Sequence, residues 1–148
     1  MTDEIAQRRD ADCIFCRIVA GEIPCHRLHE DEQVLAFLDV GPLSPGHALV
    51  VPKAHYATLD QMPGDLAAAC MRVVPGLARA ILEVTGESAF NVLQNNGERA
   101  HQAVGHVHFH IIPKTDDAGL GIDWPAGKVD EQMARDLRTK IAAAIARS

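Results

Sequence analysis

The segment HVHFHII, residues 106–112, decides the fold more than any other stretch of the chain. Side chains alternate between the two faces of a strand, so His106, His108 and His110 share one face, with imidazoles about 6.6 Å apart. The intervening apolar residues face the other way and are expected to pack on a helix. Two simple explanations of this pattern are chance polar alternation and a nickel- or zinc-binding cluster. The second is a real competitor because histidine is the commonest metal ligand near neutral pH.

Composition limits the class of protein. The chain has 148 residues, of which 47% are hydrophobic and 23% charged, as expected for one globular domain. Its net charge of −6 argues against binding a nucleic-acid polymer. No apolar run approaches the roughly 18–20 residues that span a bilayer, so no membrane contact is expected. Four cysteines without an export signal predict the cytoplasm. Residues 1–12 are predicted to be a flexible N-terminal arm and residues 13–148 a single domain.

Hydrophobic periodicity and turn residues predict an α+β fold with about five antiparallel strands and two main helices. A short helical turn is expected first, and the long helix contains a proline that should kink it. The predicted strands are His26–Glu30, Gln33–Val40, His47–Val51, Phe90–Gln94 and His106–Ile112. The predicted helices are Cys13–Ala20, Pro63–Thr85, which contains Pro75, and Asp130–Arg147.

Four blocks of the chain occur in a fixed order: CIFCRIVAGEIP at 13–24, FLD at 37–39 followed by PGHALVVPK at 45–53, NNG at 95–97, and the H-x-H-x-H-x-x run. Together they resemble the histidine triad (HIT) family of nucleotide hydrolases and transferases, over residues 13–113. The chain is most similar to the Hint-like bacterial branch, which implies hydrolysis of purine nucleoside monophosphate derivatives such as adenosine phosphoramidates or dinucleotides. Nucleotidylyltransferases of the family carry Gln at the third position of the run, so His110 favours water as the acceptor.

The resemblance implies a role for each histidine near the reaction. His108 attacks the α-phosphorus and forms a nucleotidyl-histidine intermediate, which water hydrolyses. A neutral imidazole with one nitrogen held as a donor presents the other as a nucleophile. His110 donates a hydrogen bond to phosphate oxygens or the leaving group, and His47 orients the site from behind, with a plain buried histidine as its alternative. Neither a P-loop nor a carboxylate cluster for Mg²⁺ occurs near the run, so catalysis is expected without Mg²⁺.

The resemblance also implies the contacts to the nucleotide. Asn95, Gln102 and Ala103 belong to the phosphate region, and Asp39 accepts hydrogen bonds from the two ribose hydroxyls. Apolar residues form the slot for the base, although a plain core position is the alternative for each of them. These slot residues are Ile14, Phe15, Ile18, Ile23, Phe37 and Val40.

The phosphate loop departs from the family pattern of a small residue, Gly, Gln and Ser or Thr. Here the stretch reads Ala100-His101-Gln102-Ala103. His101 replaces a glycine, and Ala103 removes a hydroxyl whose loss costs on the order of 1–3 kcal/mol if its partner stays unpaired. This departure motivates an alternative function, a zinc-stabilised nucleotide-binding or regulatory module with little turnover. A metal-storage protein that uses the histidine run is a third hypothesis.

The pair Cys13-x-x-Cys16 supplies two thiolates from one turn, which is half of a tetrahedral Cys₂His₂ site. Two ordinary buried thiols are the alternative. Bacterial family members with this pair bind a structural Zn²⁺, and the resemblance implies His55 and His106 as the other two ligands. The family also implies a homodimer whose sheets join into one larger sheet, with a nucleotide as the substrate.

Overall fold

A single antiparallel sheet organises residues 3–148, the part of the chain that the computed structural model describes. Neighbouring strands pair antiparallel throughout, in the order β1-β2-β3-β5-β4. The predicted α+β class with five antiparallel strands is therefore confirmed. The strands are β1 Arg27–Glu30, β2 Val34–Leu38, β3 Ala48–Pro52, β4 Ala89–Leu93 and β5 Phe109–Lys114.

Four α-helices accompany the sheet in the described residues: α1 Asp3–Gln7, α2 Ile14–Val19, α3 Gly64–Thr85 and α4 Glu131–Arg147. The long helix α3 has Pro63 at its N-cap, contains Pro75, and ends at Gly86, whose φ of 76° is left-handed. Glycine adopts this conformation without a steric cost, so the predicted stop is the observed one. No helix within residues 3–148 has both the length and the apolar character needed to cross a bilayer.

The sheet separates two apolar clusters, because alternate residues of β2 and β3 point to opposite faces. Val34 and Ala36 belong to the cluster beneath α3, whereas Leu35 and Phe37 belong to the cluster that includes α2 residues. Burial on both faces explains why these strands are almost continuously hydrophobic. As predicted, the apolar residues of the histidine run lie in the α3 cluster, namely Val107, Phe109 and Ile111.

The histidine strand is shorter than predicted, since β5 begins at Phe109 and not at His106. The amide of Val107 donates to the carbonyl of Tyr56 in a loop at 2.8 Å rather than to a neighbouring strand. Residues 106–108 are therefore held outside the regular ladder, and only His110 lies in a strand. The ring centroids of His108 and His110 are 4.9 Å apart, closer than the 6.6 Å spacing predicted for a regular strand.

The two ends of the chain differ in how they pack. Helix α4 is the predicted second main helix, and the Asp130 side chain caps it by accepting from the Met133 amide, but none of its residues is buried. Of the predicted flexible arm, residues 1 and 2 lie outside the described residues. The described remainder contains α1, whose Ile5 is buried in the α3 cluster. The mobility of this arm and the division of the chain at residue 13 stay predictions.

Candidate active site and metal centre

His108 is a buried, neutral ring with one nitrogen left free to react. Its Nδ1 lies 2.7 Å from the carbonyl oxygen of His106. A carbonyl only accepts, so Nδ1 carries the proton and Nε2 keeps its lone pair. Burial lowers the pKa of His108, whereas the hydrogen bond to the His106 carbonyl and the charge of Asp39 oppose this shift. Phe15 contacts the ring edge-on, with centroids 5.1 Å apart. The Nε2 lone pair is therefore available for a reaction in which His108 would act as a nucleophile.

A second chain of hydrogen bonds fixes the tautomers of His47 and His110. The Leu43 amide donates to Nδ1 of His47 at 3.0 Å, so the neutral His47 carries its proton on Nε2. That nitrogen lies 2.9 Å from Nδ1 of His110, which consequently accepts. The proton of His110 is left on its Nε2. Burial, followed by the neighbouring His108 and His47, lowers the pKa of His110 to about 4 and keeps it neutral, although Asp39 opposes the shift.

Asp39 lies behind this pair rather than in open solvent. Its Oδ1 accepts from the amide of Gly41 at 2.8 Å, and its Oδ2 lies 3.4 Å from Nε2 of His47. Burial lowers the pKa of His47, and the Asp39 charge opposes that shift. One carboxylate oxygen is thus already engaged by the backbone, and the other is shared with the histidine that orients His110.

Cys13, Cys16, His55 and His106 form a quartet whose ligand atoms all lie within 4.8 Å of one another. Nε2 of His106 donates to the carbonyl of Pro52 at 2.7 Å, so the Nδ1 lone pair points into the quartet. That Nδ1 lies 3.4 Å and 3.6 Å from the two sulfurs and 3.1 Å from Nδ1 of His55. A tetrahedral zinc separates neighbouring S and N donors by about 3.5 Å and two N donors by about 3.3 Å. The donor set and its spacing fit zinc.

The protonation of the Cys16 thiol depends on whether a cation is bound. Burial raises the pKa of Cys16 to about 11, with Cys13 adding to the shift and the Asp10 backbone opposing it. The thiol alone would therefore stay protonated, whereas a bound divalent ion deprotonates a coordinating thiol.

Asp39, His47 and His110 form a second group whose donor atoms lie within 4.8 Å. Metal coordination at Nε2 of a neutral His47 would require the proton on Nδ1, where the Leu43 amide already donates. Hydrogen bonding, and not metal coordination, therefore accounts for this group.

The residues predicted for the base slot divide into two sets. Phe15 and Phe37 are buried and meet edge-on at 5.7 Å between centroids, with Ile18 in the same cluster and Ile23 packed against it. Two other predicted slot residues lie at the surface, with Ile14 46% exposed and Val40 91% exposed. The described cluster thus brings four of the six predicted residues together beside His108.

In the phosphate loop, Gln102 is engaged by the protein itself. Its Oε1 accepts from the Gly97 amide at 2.7 Å, and its Nε2 donates to the carbonyls of Ala57 and Val104. The Asn95 side chain donates to the carbonyl of His101 at 3.4 Å, and Ala103 is exposed. The Gln102 side chain therefore shapes the loop through these three bonds.

Several partners in the site could not be read from the chain. The Leu43 amide and the Pro52 carbonyl set the tautomers of His47 and His106, yet they are backbone groups with no residue-type signal. Arg8 contacts the loop that carries His55 through both its side chain and its backbone. In the sequence, Arg8 stands out only as a basic residue in a segment of mixed charge.

Comparison with known proteins covers most of the chain. The HIT domain family matches residues 20–117. The adenosine 5'-monophosphoramidase hnt1 of Schizosaccharomyces pombe is 45% identical over 134 residues, which are 90% of this chain and 98% of that protein. The adenylylsulfatase HINT3 of Arabidopsis thaliana is 48% identical over 103 residues, which are 70% of this chain and 52% of that protein.

Two solved structures share the fold closely. A histidine triad nucleotide-binding protein from Candida albicans superposes with a TM-score of 0.85 at 41% identity, covering 92% of this chain and 99% of that one. A zinc-bound histidine triad family protein from Mycobacterium smegmatis has a TM-score of 0.68 at 33% identity, covering 93% and 98%. The predicted resemblance is confirmed, and the chain belongs to the HIT domain family.

Proposed function

We propose that this protein is a nucleotide hydrolase of the phosphoramidase type, acting at the α-phosphate of purine nucleoside monophosphate derivatives. The observation that carries the proposal is the free Nε2 lone pair of His108, fixed by the bond from Nδ1 to the His106 carbonyl. The names of relatives support it, since proteins 42–45% identical over most of this chain are adenosine 5'-monophosphoramidases.

The reaction has two displacements. In the first, Nε2 of His108 bonds to phosphorus, the phosphorus–nitrogen bond of the substrate breaks, and the leaving amine takes the proton that His110 carries on Nε2, which leaves His110 as an imidazolate beside the positively charged nucleotidyl-His108 ring. The His108 ring gains positive charge as it reacts, which favours proton release from His110 at a centroid distance of 4.9 Å. In the second, a water oxygen bonds to phosphorus, the bond to His108 breaks, and the water proton returns to His110.

The remaining residues hold these two rings and the nucleotide. His47 keeps Nδ1 of His110 as an acceptor, and Asp39 keeps an oxygen within reach of both His47 and ribose hydroxyls. The buried wall of Phe15, Ile18, Ile23 and Phe37 receives the base, with Ile14 and Val40 at its exposed rim. Asn95, Gln102 and Ala103 border the phosphate. No step requires Mg²⁺.

The proposal includes a structural zinc in the quartet, supported by the fit of its donor atoms and by the zinc-bound relative. Bound zinc would supply a fixed cross-link between α2, the β3–α3 loop and the histidine run. The expected content is one zinc per chain by elemental analysis, with a lower melting temperature after prolonged chelation. A purified protein that carries no zinc and melts unchanged in chelator would contradict this part. The thiol ligands support a cytoplasmic location, where cysteines stay reduced.

A homodimer that extends the sheet is also proposed. The edge strand β4 carries Phe90 and Val92, which are 41% and 43% exposed, and its outer backbone groups are free to pair with a second β4. Ala68 lies exposed on α3, where a small side chain permits close approach of a second helix. Light scattering after gel filtration is expected to give twice the mass of one chain, and a monomer would contradict the proposal.

Kinetics of His108→Ala test the function. The variant is expected to lose turnover of an adenosine phosphoramidate while nucleotide affinity, measured by calorimetry, stays near that of the wild type. His26→Ala is the matched control, since His26 is exposed and makes no side-chain hydrogen bond among the described residues. Turnover by His108→Ala at the wild-type rate would contradict the proposal.

One observation favours a nucleotide-binding module with little turnover as the second candidate. His101 has a φ of 66°, a left-handed conformation that is costly for a residue with a Cβ, and it stands in the phosphate loop. Steady-state hydrolysis separates the two candidates, because a binding module would bind the substrate and release no ammonia.

A further inference from the structure

Both main-chain polar groups of His55, a member of the quartet, bond to one residue of the N-terminal segment. The His55 amide donates to the carbonyl of Arg8 at 2.9 Å, and Nε of Arg8 donates back to the carbonyl of His55 at 2.8 Å. Residues 53–58 form neither helix nor strand. Arg8 therefore supplies the hydrogen bonds that fix the backbone of this ligand residue.

The same arginine also contacts Tyr56, the next residue along. The guanidinium carbon of Arg8 lies 3.8 Å from the centroid of the Tyr56 ring, a cation–π contact, and the Tyr56 hydroxyl donates to Glu4 at 3.1 Å. The carbonyl of Tyr56 accepts from the amide of Val107, which stands between two of the run's histidines. The segment thus reaches the histidine run through Tyr56.

The segment contacts the cysteine side of the quartet as well. The amide of Asp10 lies 3.5 Å from the sulfur of Cys16, and the carbonyl of Asp10 accepts from the amide of Cys13 at 3.1 Å. Hydrogen bonds to metal ligands orient them and raise metal affinity, typically by 10- to 100-fold. An ion pair between Arg9 and Glu22 ties the segment to the chain just after α2.

The quartet opens toward this segment. His106 is fully buried on the sheet side, whereas His55 is half-buried. A surface cavity of about 340 Å³ lies beside His55 and is also lined by Asp10 and Cys13. His55 and Cys13 both border this cavity, so an ion that leaves the quartet toward it passes one of these two residues, and Arg8 holds His55 in place.

We propose that residues 4–10, here called the clasp, determine how long the quartet retains its metal, with Arg8 as the positioning residue. The inference rests on the proposed zinc site and assigns a role to residues outside it. The contacts of Arg8 with His55 and Tyr56 are the juxtaposition that carries it.

The test measures transfer of zinc from the full-length loaded protein to a chromogenic chelator. Arg8→Ala removes one hydrogen bond and the cation–π contact, so zinc release is expected to be roughly five- to thirty-fold faster than in the wild type. The variant Arg8→Lys keeps a cation near Tyr56 but lacks the Nε donor, so an intermediate rate of zinc release is expected. This variant replaces Arg8→Ala in the test if Arg8→Ala does not fold. Arg79→Ala is the control, because Arg79 is exposed on α3 and makes no side-chain bond in the described chain.

A second readout separates zinc retention from general stability. Zinc raises the melting temperature by an amount that grows with the logarithm of its affinity, so the difference between loaded and zinc-free protein should shrink in Arg8→Ala but not in Arg79→Ala. Equal release rates in wild type, Arg8→Ala and Arg8→Lys would overturn the clasp while leaving the zinc site intact. The clasp would also be overturned if Arg8→Ala lowered the melting temperature equally in the loaded and in the zinc-free protein. A wild-type protein that holds no zinc would overturn the zinc site and the clasp together.

Discussion

Backbone groups decide which nitrogen of each histidine can react. The His106 carbonyl accepts a hydrogen bond from Nδ1 of His108 and so keeps the proton on that nitrogen, whereas the Leu43 amide donates to Nδ1 of His47 and leaves it unprotonated. As a result, His108 presents a lone pair while His110, through His47, presents a proton. Two residues of the same type, two positions apart, thereby acquire opposite roles.

This difference predicts how His110→Ala responds to the leaving group. General acid catalysis contributes typically 10²- to 10⁴-fold, so kcat for a phosphoramidate with an amine leaving group should fall by about that factor. A sulfate leaving group needs no proton, so hydrolysis of adenylyl sulfate should fall much less. The measurement is kcat for both substrates in the wild type and the variant, and an equal loss with both would contradict the role of His110.

The sequence predicted the residues of the site better than their surroundings. The roles of His47, His108 and His110 and the quartet of Cys and His residues came from the resemblance to the family and stay predictions, while the structure brings His47 beside His110 and the quartet's ligand atoms within 4.8 Å of one another. The predicted start of β5 at His106 was wrong because the Val107 amide bonds to a loop. The alternation of polar and apolar residues does not encode such a long-range backbone contact. Arg8 was missed for the same reason, since its partners lie 47 and 48 positions away.

At the scale of elements, the turn before β3 sets how closely α3 approaches the sheet. Gly46 has a φ of 89°, and a Cβ there would lie 2.9 Å from a methyl carbon of Ile81 and 3.0 Å from one of Thr85. The turn thus packs directly on the last turns of α3, immediately before His47. The continuous burial of β2 and β3 follows from their hydrophobic residues, whereas this close approach depends on which turn meets which helix.

Gly46→Ala is expected to lower the free energy of unfolding by about 1–3 kcal/mol, because the side chain is strained by the positive φ and collides with α3. Urea unfolding at neutral pH measures the change. Gly64→Ala is the control, since a Cβ at the start of α3 meets nothing within 4 Å. A variant at position 46 as stable as the control would contradict this account of the turn.

For the whole molecule, a set of buried neutral histidines makes stability depend on pH. Burial lowers the pKa of His110 to about 4 and also lowers that of His47, with Asp39 facing both. An unfolded histidine has a pKa of about 6.5, so between about pH 4 and pH 6.5 the unfolded chain binds more protons than the folded one. The folded state is therefore expected to lose stability as the pH falls through this window.

The dependence is checked by urea unfolding of the wild type and His110→Gln at pH 7, 6 and 5. Both proteins should lose stability on acidification, since burial also lowers the pKa of His47, His55 and His106 in each. The free energy of unfolding should fall more in the wild type than in His110→Gln, because only the wild type has to keep His110 uncharged in the folded state. Parallel losses in the two proteins would contradict a His110 that stays neutral in the folded state.

The central claim is that Nε2 of His108 bonds to phosphorus during turnover. The most direct measurement is rapid acid-free quenching of the protein with an adenosine phosphoramidate, followed by mass spectrometry of the peptide that contains the histidine run. The account predicts a nucleotidyl group attached to His108, absent from His108→Ala. A wild-type protein that turns over substrate under these conditions with the nucleotidyl group on another residue, or on none, would contradict it.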